Sequence, residues 1–500
     1  MRIPLTILSM AVITCMAACS LAPTYHVPDM KAPAAYKEAL GADAQGSWQP
    51  AIPAEADGRG EWWKVFGEPE LDGLEAQALE GNPGLAVAAA RVQQARAAER
   101  TTGAARFPNV SAGLGPTRQQ NAPESLGVPD TGVRPDAQTV WRAQANISYE
   151  VDLFGRVASS VAAARADSAE ARALFQSVQL MLQADVAQNY FRLRELDAEL
   201  VVYDRAIVLR QETLTFVSNR YEAGEVTDLD RAQAEAELAT AKSDAMSARR
   251  ARAASEHALA VLLGKAPADF TFAPTPLKPV ELRIPAGLPS SLLERRPDIA
   301  AAERAMAATN ARIGVAKAAY FPSILLTGSG GYEAESLSNV FKWSSRTFLL
   351  GPLVGTVVNL PLFDGGVRKG NLEQARARYE ESVAQYRGQV LIGFREVEDS
   401  LSALRILQEQ TTVQGEAVNA STRAFGLSKA QYEDGSVAYL NILDAERVVL
   451  AATLNEVRLR GEQAGATVDL IRALGGGWAQ EPAPSAAPPL AMDSAKPLPR

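Results

Sequence analysis

Five hundred residues with 6% aromatics and two histidines make a poor frame for a compact enzyme, and length alone would suggest two to four domains. A net charge of −8 and a pI near 5.2 leave no clustered Lys and Arg footprint for nucleic acid.

The chain opens on a secretory leader. Arg2 supplies the positive end, Ile3 to Met16 the apolar stretch, and Ala17-Ala18 the small residues before Cys19. The apolar run is too short to span and keep a bilayer. Cleavage before Cys19 would make that residue the new N-terminus, as in bacterial lipoproteins; an ordinary signal cut elsewhere is the alternative, and Met16 is less usual at its position. Both cysteines, Cys15 and Cys19, lie in this leader, so no thiol beyond Cys19 remains for a bridge or a nucleophile. Ser20, rather than Asp, after the cysteine favours export to the outer membrane.

Signal peptide 1–18 is followed by a Pro- and Ala-rich stretch, 19–60, that reads as an extended tether carrying a lipid on Cys19. A first structural unit occupies 61–280. Asn82-Pro83 opens a helical run that ends at Phe107-Pro108, and a strand follows at about 107–118, with Val110, Ala112 and Leu114 set against Asn109, Ser111, Gly113 and Gly115. Residues 116–138, rich in Pro, Gln, Asn and Asp, read as an extracellular loop. The next strand, about 139–154, alternates cleanly: Trp141, Ala143, Ala145, Ile147, Tyr149, Val151 and Leu153 one way, Arg142 to Asp152 the other. Apolar-out, polar-in alternation of this length is the membrane β-barrel signature. Trp141 and Tyr149 would stand about 26 Å apart along an extended strand, which suits two aromatic girdles.

A helix of roughly 65 residues, about 100 Å long, is expected over 156–221. Its seam, Val161, Ala164, Ser168, Ala171, Phe175, Val178 and Leu182, steps by four and three. Gly224 marks the turn to the next helix, where a positive φ is often needed.

The second unit, 281–474, repeats the first. Pro297 stands 214 residues after Pro83 and Phe321 the same distance after Phe107; Gly435 stands 211 after Gly224. Its strands are expected at about 321–332, with Ile324, Leu326 and the girdle aromatic Tyr332, and at about 347–363, joined by a loop over 333–346. Gly355 and Asn359 within the last stretch argue against a membrane helix. A second 65-residue helix over 366–432 carries the seam Val383, Tyr386, Val390, Phe394, Val397, Leu401 and Leu404. The tail, 475–500, has the composition of a disordered segment.

The fold class that follows is an α+β membrane protein with two internal repeats. Four strands cannot close a barrel, and an open edge is intolerable in lipid. Three chains would supply a twelve-stranded β-barrel, continued by a long α-helical barrel in the periplasm. A soluble sandwich is the competing reading of the strands.

At this point the chain resembles the outer-membrane factor family, the TolC and OprM type, in its lipoprotein (NodT) branch. The resemblance covers nearly the whole mature chain and is carried by Trp62-Trp63-Lys64-Val65-Phe66-Gly67-Glu68-Pro69-Glu70-Leu71, Asn82-Pro83-Gly84-Leu85, Arg295-Arg296-Pro297-Asp298-Ile299, the two Phe-Pro pairs, Pro361-Leu362-Phe363-Asp364-Gly365-Gly366 and Tyr439-Leu440-Asn441-Ile442-Leu443-Asp444-Ala445. It implies a homotrimeric duct that meets a periplasmic adaptor and an inner-membrane pump, commonly a proton-driven drug exporter, and that performs no chemistry. It also implies a periplasmic constriction. Alignment on Tyr-x-x-Gly places Asp444 on the family's constriction aspartate and Asp230 on the acidic partner of Tyr432. Two departures stand out: Asn441 replaces a second acid, and Val437 an arginine. A closing hydrogen bond between Asp230 and Tyr432 is expected, and an ion pair to position 437 is not. The rival readings are a solvated helix face for Asp444 and simple interhelical packing for Tyr432.

No phosphate-cradling Gly-rich loop precedes a Lys-Ser/Thr pair, and Gly328-x-Gly330-Gly331 opens no helix. His26 and His257 are isolated, so no cofactor or metal is expected. Arg295-Arg296 reads as a helix opening or an adaptor contact. A duct for secreted proteins or peptides, and a non-conducting envelope lipoprotein, are the competing functions.

Overall fold

The computed structural model describes residues 21–28, 36–38, 60–120, 136–278, 296–350 and 358–476. In chain order these hold α1 (Pro69–Gly81), α2 (Pro83–Ala104), β1 (Asn109–Gln119), β2 (Gln138–Val151), α3 (Arg156–Glu222), α4 (Asp228–Leu262), α5 (Pro297–Ala318), β3 (Ser323–Ala334), β4 (Arg346–Leu350), β5 (Val358–Asn359), α6 (Val367–Glu433) and α7 (Tyr439–Ala473). Lengths repeat along with order: α2 and α5 have 22 residues each, α3 and α6 have 67, α4 and α7 have 35. Among the described residues no helix is long and apolar enough to cross a membrane. The leader, Cys19 and residues 477–500 lie outside the described residues.

Two compact units cut across the repeats. One takes the described residues of Met1–Lys31, Ala86–Gln176 and Pro297–Ile392; the other takes those of Ala32–Leu85, Ser177–Arg296 and Gly393–Arg500.

The first unit contains the sheet, antiparallel throughout, in the order β1-β2-β3-β4 with β5 also on β3. Val110 faces Ile147, which faces Gly328; Leu114 faces Ala143, which faces Tyr332; Tyr149 faces Leu326. Directly opposed residues share a face, so the apolar rows fall on one side of the sheet and the polar rows on the other. Trp141, Tyr149 and Tyr332 stand on the apolar side. Val110, Leu114, Phe348 and Leu350 there are exposed within the chain. β1 and β4 each pair on one side only among the described strands.

Of the strand expected over 347–363, residues 351–357 lie outside the described residues; to either side Leu350 pairs with Gly328 and Val358 with Ile324. Pro361, without an N–H, stands just past the two-residue β5. Leu362 and Phe363 are exposed outside any strand.

The repeat landmarks have local physical reasons. Phe154 stacks on Phe321 at 4.8 Å. Asp152 accepts from the Val157 and Ala158 amides and so caps α3, and Asp364 does the same for α6 through Gly366 and Arg368. On the expected seam of α3, Val161, Ser168 and Leu182 are buried, whereas Val178 is exposed. Residues 21–28 lie along α5: Tyr25 donates to Glu303 Oε1 at 2.6 Å, Asn310 donates to the Pro23 carbonyl at 2.9 Å, and Ala22 fills the notch at Gly314. A Cβ at 314 would come within 2.7 Å of both Ala22 and Ser159, so only glycine fits.

The second unit is helical. Leu71, Tyr190, Leu193, Leu259, Leu263, Leu470 and Ile471 are fully buried in it. Asn82 explains its own place in the sequence: its Oδ1 accepts from the Leu85 amide, capping α2, while its Nδ2 donates to the Leu262 carbonyl. Arg296 is buried and donates to Glu396 and to the Ala473 carbonyl, which fits the helix-opening reading of Arg295-Arg296 and not the adaptor contact; Arg295 lies outside the described residues. Glu398 accepts from two successive amides, Lys37 at 2.8 Å and Glu38 at 3.0 Å, so residues 36–38 are held here. On the buried stripe of α1, between Leu71 and Ala78, Glu75 is fully buried with neither carboxylate oxygen bonded. Burial, and secondarily the Asp72 charge, push its carboxyl up to about 9.

Candidate gate at the helical turns

Both connections between long helices lie in the second unit and share one geometry. Each helix ends on a left-handed glycine, Gly224 at φ 75° and Gly435 at φ 74°. The glycine amides donate to Tyr221 O and Tyr432 O, and the following amides reach back to Arg220 O and Gln431 O. This paired 6→1 and 5→2 pattern is a Schellman motif, which satisfies the last carbonyls of α3 and α6.

The helices that leave the turns begin differently. α4 starts in a complete capping box: the Asp230 amide donates to Thr227 Oγ1, and the Thr227 amide donates to Asp230 Oδ2 at 3.0 Å. Thr227 Oγ1 also donates to Asp230 Oδ2 at 2.7 Å. Ala438 and Asn441 stand at the matching positions of α7, 211 residues on, and form no side-chain cap.

Asp230 is thus committed to its own helix, and the expected bond to Tyr432 is not made: the buried Tyr432 Oη has no hydrogen-bond partner. Tyr432 instead packs with Val217, Ala234, Tyr439, Ile442 and Leu443, and Val437 joins this cluster. Its ring meets Phe216 edge-on at 6.2 Å and Tyr439 at 5.9 Å, beside a cavity of about 170 Å³ between α3 and α6. Burial raises the phenol's pKa, with the nearby Arg220 guanidinium opposing.

Asn441 and Asp444 are exposed on the first turns of α7. Asp444 ends a run of alternating charges. Arg447 reaches it at 3.5 Å and holds Glu237 more closely, with Nε 3.0 Å from Oε1. Glu237 Oε2 meets Arg210 at 3.0 Å, and Arg210 Nε meets Glu446 at 2.9 Å. Arg210 further donates to the Glu237 carbonyl. One guanidinium therefore joins α3 to α4 and α7, with its side chain 5% exposed. Burial raises the Glu446 carboxyl, Arg210 opposing. Sequence reasoning misses this charge run: Arg210, Glu237, Glu446 and Arg447. Only the last left a local sign, an acid–base pair three residues apart on one helix face.

The family profile described as outer membrane efflux protein matches residues 74–265 and again 288–476. The chain belongs to the outer membrane efflux protein family. It is 34% identical over 473 residues to the outer membrane protein OprJ of Pseudomonas aeruginosa, covering 93% of this chain and 94% of that one. It is 33% identical over 474 residues to the toluene efflux pump outer membrane protein TtgF of Pseudomonas putida, covering 94% and 96%. Among solved structures it resembles the open state of the Neisseria gonorrhoeae MtrE outer membrane channel, with TM-score 0.76, 30% identity, and 92% and 98% of the two chains covered. The family is one of efflux channels of the outer membrane, and the double match of its profile coincides with the repeated helices.

Proposed function

We propose that this chain is one protomer of a homotrimeric duct, anchored by a lipid on Cys19, that carries small molecules out across the outer membrane. Three copies of the sheet close a twelve-stranded barrel, and the long helices continue it into the periplasm. A periplasmic adaptor and an inner-membrane pump, proton-driven in this reading, deliver the cargo. The duct itself performs no catalysis and takes no cofactor.

The observation that carries this reading is the sheet: one apolar face, one polar face, and two edges unpaired among the described strands. An unpaired edge in hydrocarbon leaves backbone groups unsatisfied, and pairing β1 of one copy with the far edge of the next removes the problem. The apolar face then meets lipid, with Trp141, Tyr149 and Tyr332 at its interfaces.

Asp444 from each copy lines the periplasmic constriction, with Asn441 one turn earlier. Three carboxylates around one axis attract cations and slow anions. The test joins two measurements. Mass in detergent is expected to equal three chains, and a monomer would sink the assembly. Single-channel recording of Asp444→Ala is expected to show altered conductance, and an unchanged value removes Asp444 from the constriction. A deletion strain that becomes drug-susceptible while its secreted proteins are unaltered separates this role from a protein-secretion duct.

A further inference from the structure

We infer that Arg447, held in place by Glu237, sets the charge selectivity of the mouth by partly neutralising Asp444. This rests on Asp444 lining the constriction.

The geometry divides one guanidinium between two carboxylates. Nε and Nη2 of Arg447 both bind Glu237 Oε1, and Nη1 points to Asp444 Oδ1 at 3.5 Å. Glu237 is in turn fixed from behind: its other oxygen binds the buried Arg210, and its side chain is 11% exposed. Asp444 and Arg447, at 62% and 52% exposure, both face solvent. Arg447 is thus a positive charge with a rigid mooring, standing one helical turn from the acid that would attract cations. Without the mooring, the freed guanidinium would swing fully onto Asp444 and cancel it. Without Arg447, the carboxylate would act at full strength. The net field at the mouth is therefore decided by Glu237, a buried residue that meets no cargo.

Removing the Arg447 charge raises cation selectivity whereas removing Glu237 or Asp444 lowers it, which a purely structural tie would not do. A unit charge about 6 Å from a passing ion in water changes its occupancy by about threefold. Reversal potentials of the trimer in a lipid bilayer, under a potassium chloride gradient at about 0.1 M ionic strength where screening is incomplete, are the readout. Arg447→Gln is expected to raise the potassium-to-chloride permeability ratio about threefold, and Arg447→Lys to stay near the parent value. Glu237→Gln is expected to lower the ratio, and Asp444→Asn to lower it further. If Asp444→Asn shifts the ratio but neither Arg447→Gln nor Glu237→Gln does, the role of Arg447 is overturned and the constriction stands. If Asp444→Asn itself shifts nothing, the constriction reading fails first. If Arg447→Lys behaves as Arg447→Gln does, Arg447 acts as a forked tie between helices and not as a charge, which also overturns the inference. Should Arg447→Gln not assemble, Glu237→Gln decides the matter: a lowered ratio beside an unmoved Arg447→Lys supports the inference, and an unchanged ratio overturns it.

Discussion

The two turns between long helices are the same object down to the last hydrogen bond of the incoming helix, and then diverge within three residues. After Gly224 the chain meets Thr227 and Asp230, which cap α4 reciprocally; after Gly435 it meets Ala438 and Asn441, which leave α7 without a side-chain cap. Helix endings here are a matter of backbone, so one glycine in each copy suffices. Helix beginnings are a matter of side chains, and they can be lost in one copy without disturbing the reversal. The first turn of α4 is closed by side chains, whereas in α7 the Asn441 amide donates only to the Ala438 carbonyl, at 3.0 Å. What steadies α7 comes from farther away, through Glu446 and Arg447.

That difference can be broken from the strongest tie downward. Arg210→Met removes the cation shared by Glu237 and Glu446 and leaves Glu446 buried without it. Unfolding in denaturant is expected to show a loss of about 3 kcal/mol, with both turns losing hydrogen-exchange protection together; loss at one turn alone would show the tie to be one-sided.

Any pH series on the turns first needs Glu75 out of the way. Its folded pKa is about 9 against an ordinary 4.5, so the folded state keeps a proton that the unfolded chain has released. Stability is fully present below 4.5 and falls as pH rises toward 9, by about 3 kcal/mol at pH 7. Glu75→Gln is expected to flatten thermal stability between pH 5 and 8.5; a melting curve that keeps its slope would refute the assignment. Glu446, raised in the same direction by burial, then contributes to the residual slope together with Glu170, Asp185, Glu195 and Asp469.

Thr227→Ala is expected to cost about 1 kcal/mol, read as faster exchange in the first turn of α4 only. The reverse experiment, Ala438→Thr with Asn441→Asp, is expected to slow exchange at the start of α7 by a similar increment. Gly224→Ala and Gly435→Ala are expected to cost about 1 kcal/mol each. Neither would meet a neighbour, since open space surrounds both Cβ positions. Unequal penalties for the two would mean that the turns are not the equivalent structures their dihedrals describe.

Much of this architecture could be read before any coordinates. Alternation in β2 put Trp141 and Tyr149 on the face where the register places them, and Phe-Pro, Asn-Pro and Tyr-x-x-Gly marked boundaries because each has a local cause: a ring stack, a cap, a left-handed residue. The bond expected between Asp230 and Tyr432 is not made, and Thr227-Asp228-Leu229-Asp230 contains the capping pattern that holds Asp230 instead. The charge run from Glu446 to Asp444 had no such pattern to find. Arg210, Glu237 and Glu446 meet only because three helices bring them together, and no spacing along one of them announces it.

The grip of Glu398 on residues 36–38 has a consequence for how this stretch of sequence can drift. A carboxylate that takes two successive main-chain amides reads the path of the backbone and ignores what hangs from it. Lys37, whose side chain is 87% exposed, is therefore free to become almost anything except proline, which would remove one of the two donors. Tyr36, buried beside it, has no such latitude. A saturation library across these positions would record a permissive site next to a restrictive one, and the boundary between them would trace a single glutamate on a helix some 360 residues away.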